Sequence, residues 1–221
     1  FDIKQENVAK AGLWIAKKRY AQWIINVEGH TVSKLDVKGL DVVRSSFPPA
    51  FRKFMAEVLE DILNDIDKVE LDEKILKFKD HIKSLDLIDV MFPIGVKNVK
   101  KYTKKGDEPF TPRMKGTPVH VKAALNYNDM LRHHKIRTIR GMINGEKIKW
   151  TYLKNNPMSL DTMALKGYED PDVLRKFVES YIDYNKVFKS AFANKLNDFY
   201  AALGWGQIPE NNNLGKFFAF G

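Results

Sequence analysis

The feature that most constrains the fold is a run of four polar residues at positions 17–20, with the sequence KKRY, set between apolar stretches at 13–15 and 21–25. The pattern predicts a strand that ends at the turn Glu28-Gly29, with apolar flanks that anchor it in a core. Three adjacent cations repel one another, which favours an anionic partner such as a phosphate backbone, with Tyr20 against a sugar or base. The alternative is a solvated basic edge strand.

The charge balance points to the same kind of partner. Lysine and arginine total 37 against 28 aspartate and glutamate, which gives a net charge of +9. This excess favours nucleic acid or an anionic membrane surface. No run approaches the roughly 18 apolar residues of a membrane span, so we expect no membrane partner. The absence of cysteine excludes disulfides and thiolate metal sites and is typical of an intracellular protein.

Apolar spacing and turn residues predict an α+β chain. Strands are expected in residues 1–46, and an apolar stripe with a period of 3.6 predicts helices in residues 48–85. Pro118 is placed to begin a further helix, which is followed by strands around a hairpin turn at Asn144-Gly145. The apolar period then predicts one helix over residues 170–203, the longest of the chain.

The densest basic region lies between positions 97 and 115 and is interleaved with tyrosine, glycine and proline. The glycines and prolines predict a loop after Lys104. Basic residues mixed with tyrosine and glycine suit a surface that follows a phosphate backbone. A solvated charged loop is the alternative.

Several segments, in their order along the chain, resemble family B DNA polymerases, in particular the replicative enzymes of T-even-type phages. The KKRY element, the hairpin after it, the stretch Lys38-Gly39-Leu40 and the serines before the first helix are similar to the palm-to-thumb junction of that family. Residues 118–128 and 145–153 resemble later segments of its thumb. The likeness covers essentially all 221 residues. It implies that the full enzyme performs DNA-templated DNA synthesis with deoxynucleoside triphosphates and Mg²⁺, in the cytoplasm of an infected host cell.

The resemblance also implies a division of the chain. Residues 1–46 would be the C-terminal part of the palm with its β-sheet, residues 47–204 a mostly helical thumb, and residues 205–221 a flexible tether with a clamp-binding peptide. The chain begins with Phe1 rather than Met. We therefore expect a fragment or a processed piece, with the N-terminal remainder of the polymerase as a partner.

Two groups of contacts to primer-template DNA follow from the resemblance. The palm end would hold the DNA near the primer terminus and contact the primer backbone, and basic segments of the thumb would grip the duplex behind it. The expected DNA-binding residues are Lys17, Lys18, Arg19, Tyr20, Lys38, Arg44, Lys97, Asn98, Lys101, His120 and Lys122. Because such contacts read phosphates and duplex shape, we expect low sequence specificity and strong salt dependence.

The chain ends with a strongly apolar segment behind a polar stretch. Large apolar side chains at a free end require burial, because termini are normally frayed and polar. The segment resembles the sliding-clamp-binding peptide of such polymerases, Q-x-x-L-x-x-F-F, with Asn in place of Gln. The expected clamp-binding residues are Asn211, Leu214, Phe217, Phe218 and Phe220. Docking on the protein's own core is the alternative.

The sequence lacks the catalytic carboxylate motifs of that family. Nucleotidyl transfer uses two metal ions about 4 Å apart that are held by carboxylates. Family B polymerases supply these carboxylates from D-x-x-S-L-Y-P-S and D-T-D-S segments, and neither occurs here. We assign Asp65 and Asp67 to the solvated face of a helix, where positions two apart do not face each other. We therefore expect no catalytic or metal-ligating residue in this chain, and no polymerisation by the chain alone.

Two further interpretations stay open from the sequence. The chain could be a naturally separate thumb subunit of a split polymerase, which would be active only with its partner chain. It could also be an unrelated, non-catalytic accessory protein that binds duplex DNA and uses its tail to bind a sliding clamp.

Overall fold

The computed structural model describes residues 6–103, 108–167 and 169–209. They divide into two compact units. Unit 1 comprises the described residues of Phe1–Leu85 and Phe188–Gly221, and unit 2 those of Asp86–Val187. Both units contain helices and an antiparallel sheet, so the predicted α+β class is confirmed. No helix in the described ranges is long and apolar enough to cross a membrane.

Unit 1 begins with a three-stranded antiparallel sheet in the order β1-β2-β3. Its strands are β1 (Asn7–Ala16), β2 (Arg19–Val27) and β3 (His30–Lys38). The predicted turn at Glu28-Gly29 is confirmed, because it joins β2 to β3. Both of its residues have positive φ, 50° and 89°, as a two-residue hairpin turn of type I′ requires.

The KKRY sequence does not lie within one strand, so that prediction was wrong. Lys17 and Lys18 form the turn between β1 and β2, and Lys18 has a φ of 63°. Arg19 and Tyr20 are the first residues of β2. A turn places both charged lysine side chains in water, where their desolvation cost and mutual repulsion are smallest.

Helices cover the face of this sheet that carries the buried residues Leu13 and Ala21. Helix α1 (Pro49–Leu63) contacts β1 and β2, and the last helix of the described residues, α8 (Asn194–Ala202), packs against β1. Helix α2 (Lys68–His81) follows α1, so the helices predicted in residues 48–85 are confirmed. Aromatic rings from these helices and the segment before α8 meet in the core: Phe51, Phe54, Phe78, Phe188 and Phe192.

Residues 170–203 do not form the single long helix that the apolar period predicts. They form α6 (Asp172–Tyr181), α7 (Tyr184–Phe188), a π-helical segment (Lys189–Ala193) and α8. The helix breaks because Ile182 is extended, with a ψ of 132°, and forms a β-bridge with Leu153. The Asp183 N–H then donates to the carbonyl oxygen of Tyr152 at 3.0 Å.

Unit 2 contains the second antiparallel sheet, in the order β4-β5-β6. Its strands are β4 (Phe92–Gly95), β5 (Lys147–Tyr152) and β6 (Thr162–Leu165). Helix α5 (Val119–His133) begins after Pro118, as predicted, and packs against β5 and β6. Short helices α3 (Leu87–Val90) and α4 (Val99–Tyr102) flank β4.

The hairpin predicted at Asn144-Gly145 is wrong. These residues form a turn, and Gly145 has a φ of 89°. However, β5 pairs with β4 and β6, and no strand lies in the described residues 108–143 before the turn. The turn itself is present where the sequence predicts it, but the strand that pairs with β5 lies about fifty residues earlier in the sequence.

Candidate nucleic-acid interface

The first candidate surface is the turn between β1 and β2. Lys17 and Lys18 are both exposed there. Within the described parts of the chain, neither lysine side chain forms a hydrogen bond or an ion pair. Two neighbouring ammonium groups without a carboxylate produce a local positive potential that attracts an anion.

Lys38 and Gly39 meet this turn from the end of β3. Tyr20 is the partner of Lys38 in the register of β2 and β3. A Cβ atom on Gly39 would collide with the carbonyl oxygen of Lys18 and would lie 3.3 Å from Cγ of Arg19. The φ of Gly39 is also positive, at 66°, so this close approach requires glycine. Two segments that the sequence separates thus form one surface.

Strand alternation places Arg19 and Tyr20 on opposite faces of the sheet. The Arg19 guanidinium bonds to Asp198 of α8 at 3.1 Å. Tyr20 lies on the other face with Lys38, whose ammonium is 3.3 Å from Asp36. Both ion pairs are partly exposed, so water and salt weaken them, and a phosphate can compete for either cation.

Arg44 lies farther along the chain, just after a short 3₁₀ helix (Asp41–Val43). Its guanidinium is 3.2 Å from Asp41, and the same carboxylate is 3.2 Å from Lys195. One negative charge is therefore shared by two cations. This part of unit 1 keeps a net positive charge even with its ion pairs formed.

Trp14 was predicted to anchor its strand in the core, and that prediction was wrong. Trp14 is 61% exposed. It stands directly opposite Tyr20, so both side chains lie on the open face of the sheet. Leu13 and Ala21, on the other face, are buried. The period of two along a strand is the signal that separates Trp14 from Leu13.

In unit 2, Lys97, Asn98 and Lys101 lie in α4 or directly before it. The turn before β5 holds this segment, because the Val99 N–H donates to Oδ1 of Asn144 at 2.6 Å. Lys97 and Lys101 are exposed. Their ammonium groups are therefore presented to solvent from a segment with fixed backbone bonds.

His120 and Lys122 lie in the first turns of α5. The Lys122 ammonium is 2.9 Å from the carboxylate of Asp161. Burial lowers the pKa of His120 below its ordinary value of 6.5, so the imidazole is neutral at pH 7. At that pH it can contact DNA as a hydrogen-bonding group but not as a cation.

Different elements carry these two groups of unit 2. Lys97, Asn98 and Lys101 belong to α4 and the residues directly before it, and α4 contacts α5. His120 and Lys122 lie on α5 itself, where Lys122 and Asn126 line a cavity of about 420 Å³.

One arginine of unit 2, Arg113, is paired in its interior. The carboxylate of Asp129, whose side chain is 2% exposed, bonds to the guanidinium groups of Arg113 and Arg132. It also accepts the N–H of Phe110 at 2.8 Å. Arg113 belongs to the densest basic region of the sequence, yet its guanidinium is bonded to a buried carboxylate inside the unit.

No group of three or more His, Cys, Asp or Glu side chains within the described ranges could hold a metal ion. The sequence predicted that Asp65 and Asp67 lie on the solvated face of a helix, and that prediction was wrong. Asp65, with a φ of 61°, lies between α1 and α2, and Asp67 caps α2 by accepting the Val69 N–H at 2.7 Å.

The predicted clamp-binding residues lie outside the described residues: Asn211, Leu214, Phe217, Phe218 and Phe220.

Residues 1–112 match the family described as DNA polymerase family B. The DNA-directed DNA polymerase of Enterobacteria phage T4 is 26% identical over 189 residues, and that of Escherichia phage RB69 is 28% identical over 201 residues. The matches cover 84% and 86% of this chain but 20% and 21% of those relatives, so the chain spans about a fifth of their length.

A cellular relative matches a shorter part. The catalytic subunit of DNA polymerase alpha from Saccharomyces cerevisiae is 36% identical over 84 residues, which is 37% of this chain and 6% of that protein.

Proposed function

The chain belongs to DNA polymerase family B, and on that premise we propose that it is the end of the palm, the thumb and the C-terminal tail of a phage-type replicative polymerase. Residues 1–46 are the palm end, residues 47–204 the thumb, and residues 205–221 the tether and clamp-binding peptide. Its role is to hold primer-template DNA during DNA-templated DNA synthesis in the host cytoplasm. The phage relatives are named DNA-directed DNA polymerases.

The observation that carries this proposal is the convergence of the Lys17–Lys18 turn with Lys38 and Gly39. The register and the close approach fix these segments against each other. The surface combines two lysines that have no ion pair in the described ranges with a third whose pair is partly exposed. A DNA backbone supplies the phosphates that such a surface lacks.

The thumb contributes a second set of contacts in this proposal. Lys97, Asn98 and Lys101 contact the duplex backbone from α4 and the residues directly before it. His120 and Lys122 contact it from the first turns of α5, where Lys122 exchanges Asp161 for a phosphate. Arg44 adds a contact near the palm end.

The chemistry of synthesis belongs to the rest of the enzyme. The two aspartate motifs that hold Mg²⁺ in family B polymerases are absent from this sequence, and we propose that the N-terminal remainder supplies them. Mg²⁺ would there activate the primer hydroxyl and stabilise the leaving pyrophosphate. The residues of this chain position the DNA for that step.

Binding to a primer-template junction and to plain duplex tests the palm surface. The double variant Lys17→Ala/Lys18→Ala should lose about 1–3 kcal/mol of binding free energy, because charge-assisted contacts are removed. The control Arg52→Ala/Lys53→Ala removes two exposed cations from α1 in the same unit. Unchanged affinity of the Lys17 and Lys18 variant for both DNAs would rule out this surface.

The tail is tested separately by retention of a cognate sliding clamp in a pull-down. We expect Phe217→Ala/Phe218→Ala to abolish retention, because the apolar plug is lost. The control Asn212→Ala/Asn213→Ala alters the two unspecified positions between Asn211 and Leu214 of the clamp pattern and should retain the clamp. Undiminished retention after removal of residues 214–221 would exclude clamp binding by the tail.

A further inference from the structure

Trp14 is more exposed than any other large apolar residue in the described ranges, and its ring lies close to the backbone of its own strand. Its ring lies over Gly12 on the same strand, because a Cβ atom on Gly12 would lie 2.5 Å from Cζ3 and 2.9 Å from Cζ2 of the indole. The indole therefore rests on bare backbone. Only glycine at position 12 leaves room for this arrangement, and 61% of Trp14 stays exposed.

The surroundings of this ring are aromatic and basic. Tyr20 stands directly opposite Trp14, and Lys38 stands opposite Tyr20 on the next strand. Directly opposed residues of antiparallel strands share a face, so these three side chains form one row. The turn of Lys17 and Lys18 follows β1 and begins three residues after Trp14.

We propose that Trp14, supported by Gly12, is a stacking platform for DNA. The indole packs against the sugar or base of a nucleotide whose phosphates contact Lys17 and Lys18. This inference rests on the proposed function, because it takes the same DNA as its ligand. The adjoining lysines favour nucleic acid over a neutral apolar partner, since they attract phosphate, and aromatic rings beside cations are the recurrent means of holding a nucleotide.

Removal of Trp14 should affect the salt dependence of DNA binding differently from removal of the lysines. A neutral side chain releases no counterions, so its removal should weaken binding without changing the salt dependence. We expect Trp14→Ala to weaken binding to a primer-template junction about tenfold, within the range for stacking aromatics. Trp14→Phe should recover most of the loss, and Val69→Ala, which truncates an exposed apolar residue on α2, should have no effect.

Substitution of Gly12 tests whether the position of the Trp14 ring determines DNA affinity. Gly12→Ala should displace the indole and weaken binding in the wild-type background. In the Trp14→Ala background it should have no further effect on affinity, because there is no ring to displace. This non-additivity, measured as a double-mutant cycle, would show that Gly12 acts through Trp14.

The outcomes separate this inference from the proposed function. If the wild-type chain does not bind the junction, the proposed function is wrong and the platform with it. If Lys17→Ala/Lys18→Ala weakens binding but Trp14→Ala binds as tightly as the wild type, only the platform is wrong. Urea unfolding gives the fraction of the Trp14→Ala variant that is folded. If a smaller folded fraction accounts for all of the lost affinity, the ring supports the sheet at Gly12 and the platform is again wrong.

Discussion

The two units hold their basic residues in different ways. In unit 1, Lys17 and Lys18 project from a hairpin turn, and no carboxylate in the described ranges pairs with them. In unit 2, Arg113 is bonded to a buried aspartate and Lys122 to an exposed one. The density of basic residues in the sequence is highest in unit 2. Lys17 and Lys18 nevertheless lie in unit 1, and neither forms an ion pair within the described ranges. Positive charge in a sequence is therefore a poor measure of the positive charge available to a ligand.

The difference has a physical origin in burial. Asp129 is nearly inaccessible, and a buried carboxylate must be paired and hydrogen-bonded to be tolerated. A two-residue turn between strands cannot be buried in the same way, so its side chains stay in water. The comparison predicts a structural role for the charge of Arg113 in unit 2 and a binding role for the charges on the turn.

The largest expected effect is on the stability of unit 2. Asp129→Ala would leave Arg113, whose side chain is 10% exposed, without the buried carboxylate that balances its charge. We expect a loss of about 3–5 kcal/mol in the free energy of unfolding, measured in urea. Asp161→Ala breaks an exposed ion pair and should cost less than about 1 kcal/mol. Equal effects of the two variants would remove the distinction between buried and exposed pairs.

The next effect tests the packing of the turn in unit 1. Gly39→Ala combines a positive φ with a collision against Lys18, so we expect a loss of about 2–3 kcal/mol in stability and weaker DNA binding. The control is Gly29→Ala in the same sheet, where φ is also positive but no atom lies within 4 Å of a new Cβ. It should cost about 1 kcal/mol. Thermal unfolding measures both, and a Gly39 variant no less stable than the Gly29 variant would contradict the close approach.

A smaller effect concerns pH and Glu146 of unit 2. Burial acts to raise the pKa of Glu146, but hydrogen bonds from Arg140 and the Ile143 N–H and the charge of Lys166 outweigh burial and lower this pKa below 4.5. A carboxylate with a lowered pKa contributes stability above its unfolded pKa, and this is lost as pH falls through the folded value.

Unfolding in urea between pH 6 and pH 3 measures this contribution. The Glu146→Gln variant should lose less stability over this range than the wild type. Lys17→Ala/Lys18→Ala should leave the profile unchanged, because the turn is not paired with a carboxylate. Identical profiles for wild type and Glu146→Gln would contradict the ion pairing of Glu146.

The smallest effect concerns an ion pair of unit 1. Asp198→Asn removes the partner of Arg19, which then becomes available to phosphate. DNA affinity should rise by about two- to threefold, because an exposed pair contributes well under 1 kcal/mol. Glu73→Gln releases Lys77 on α2 and should not alter affinity in a fluorescence anisotropy titration. A fall in affinity for Asp198→Asn would mean that the pair positions Arg19 rather than competing for it.

Local signals in the sequence predicted much of the fold. The apolar period and the prolines predicted α1 and α5, and Glu28-Gly29 predicted a hairpin. The turn at Lys17 and Lys18 has no glycine, asparagine or proline, so turn chemistry could not reveal it. The break at Ile182 depends on a bridge to Leu153, a contact distant in sequence that helical periodicity cannot detect.

In the candidate site, as in the fold, the sequence predicted local features but not those that depend on contacts between distant residues. Lys17 and Lys18 were identified from their own sequence and its resemblance to a family. Their contact with Gly39 depends on strand register, and the exposure of Trp14 depends on which face the helices cover. An apolar residue type predicts burial on average, so the sequence assigns Trp14 to the core, whereas the sheet places it on the open face.

The salt dependence of DNA binding tests the central claim most directly, because its slope reports the number of phosphates neutralised. For a primer-template junction, Lys17→Ala/Lys18→Ala should reduce the slope of log K against log[salt] by about 2, roughly 1 for each lysine. Arg52→Ala/Lys53→Ala, which removes the same charge from α1, should leave the slope unchanged. An unchanged slope for the Lys17 and Lys18 variant, or an equal reduction for both variants, would contradict a phosphate-binding role for the turn.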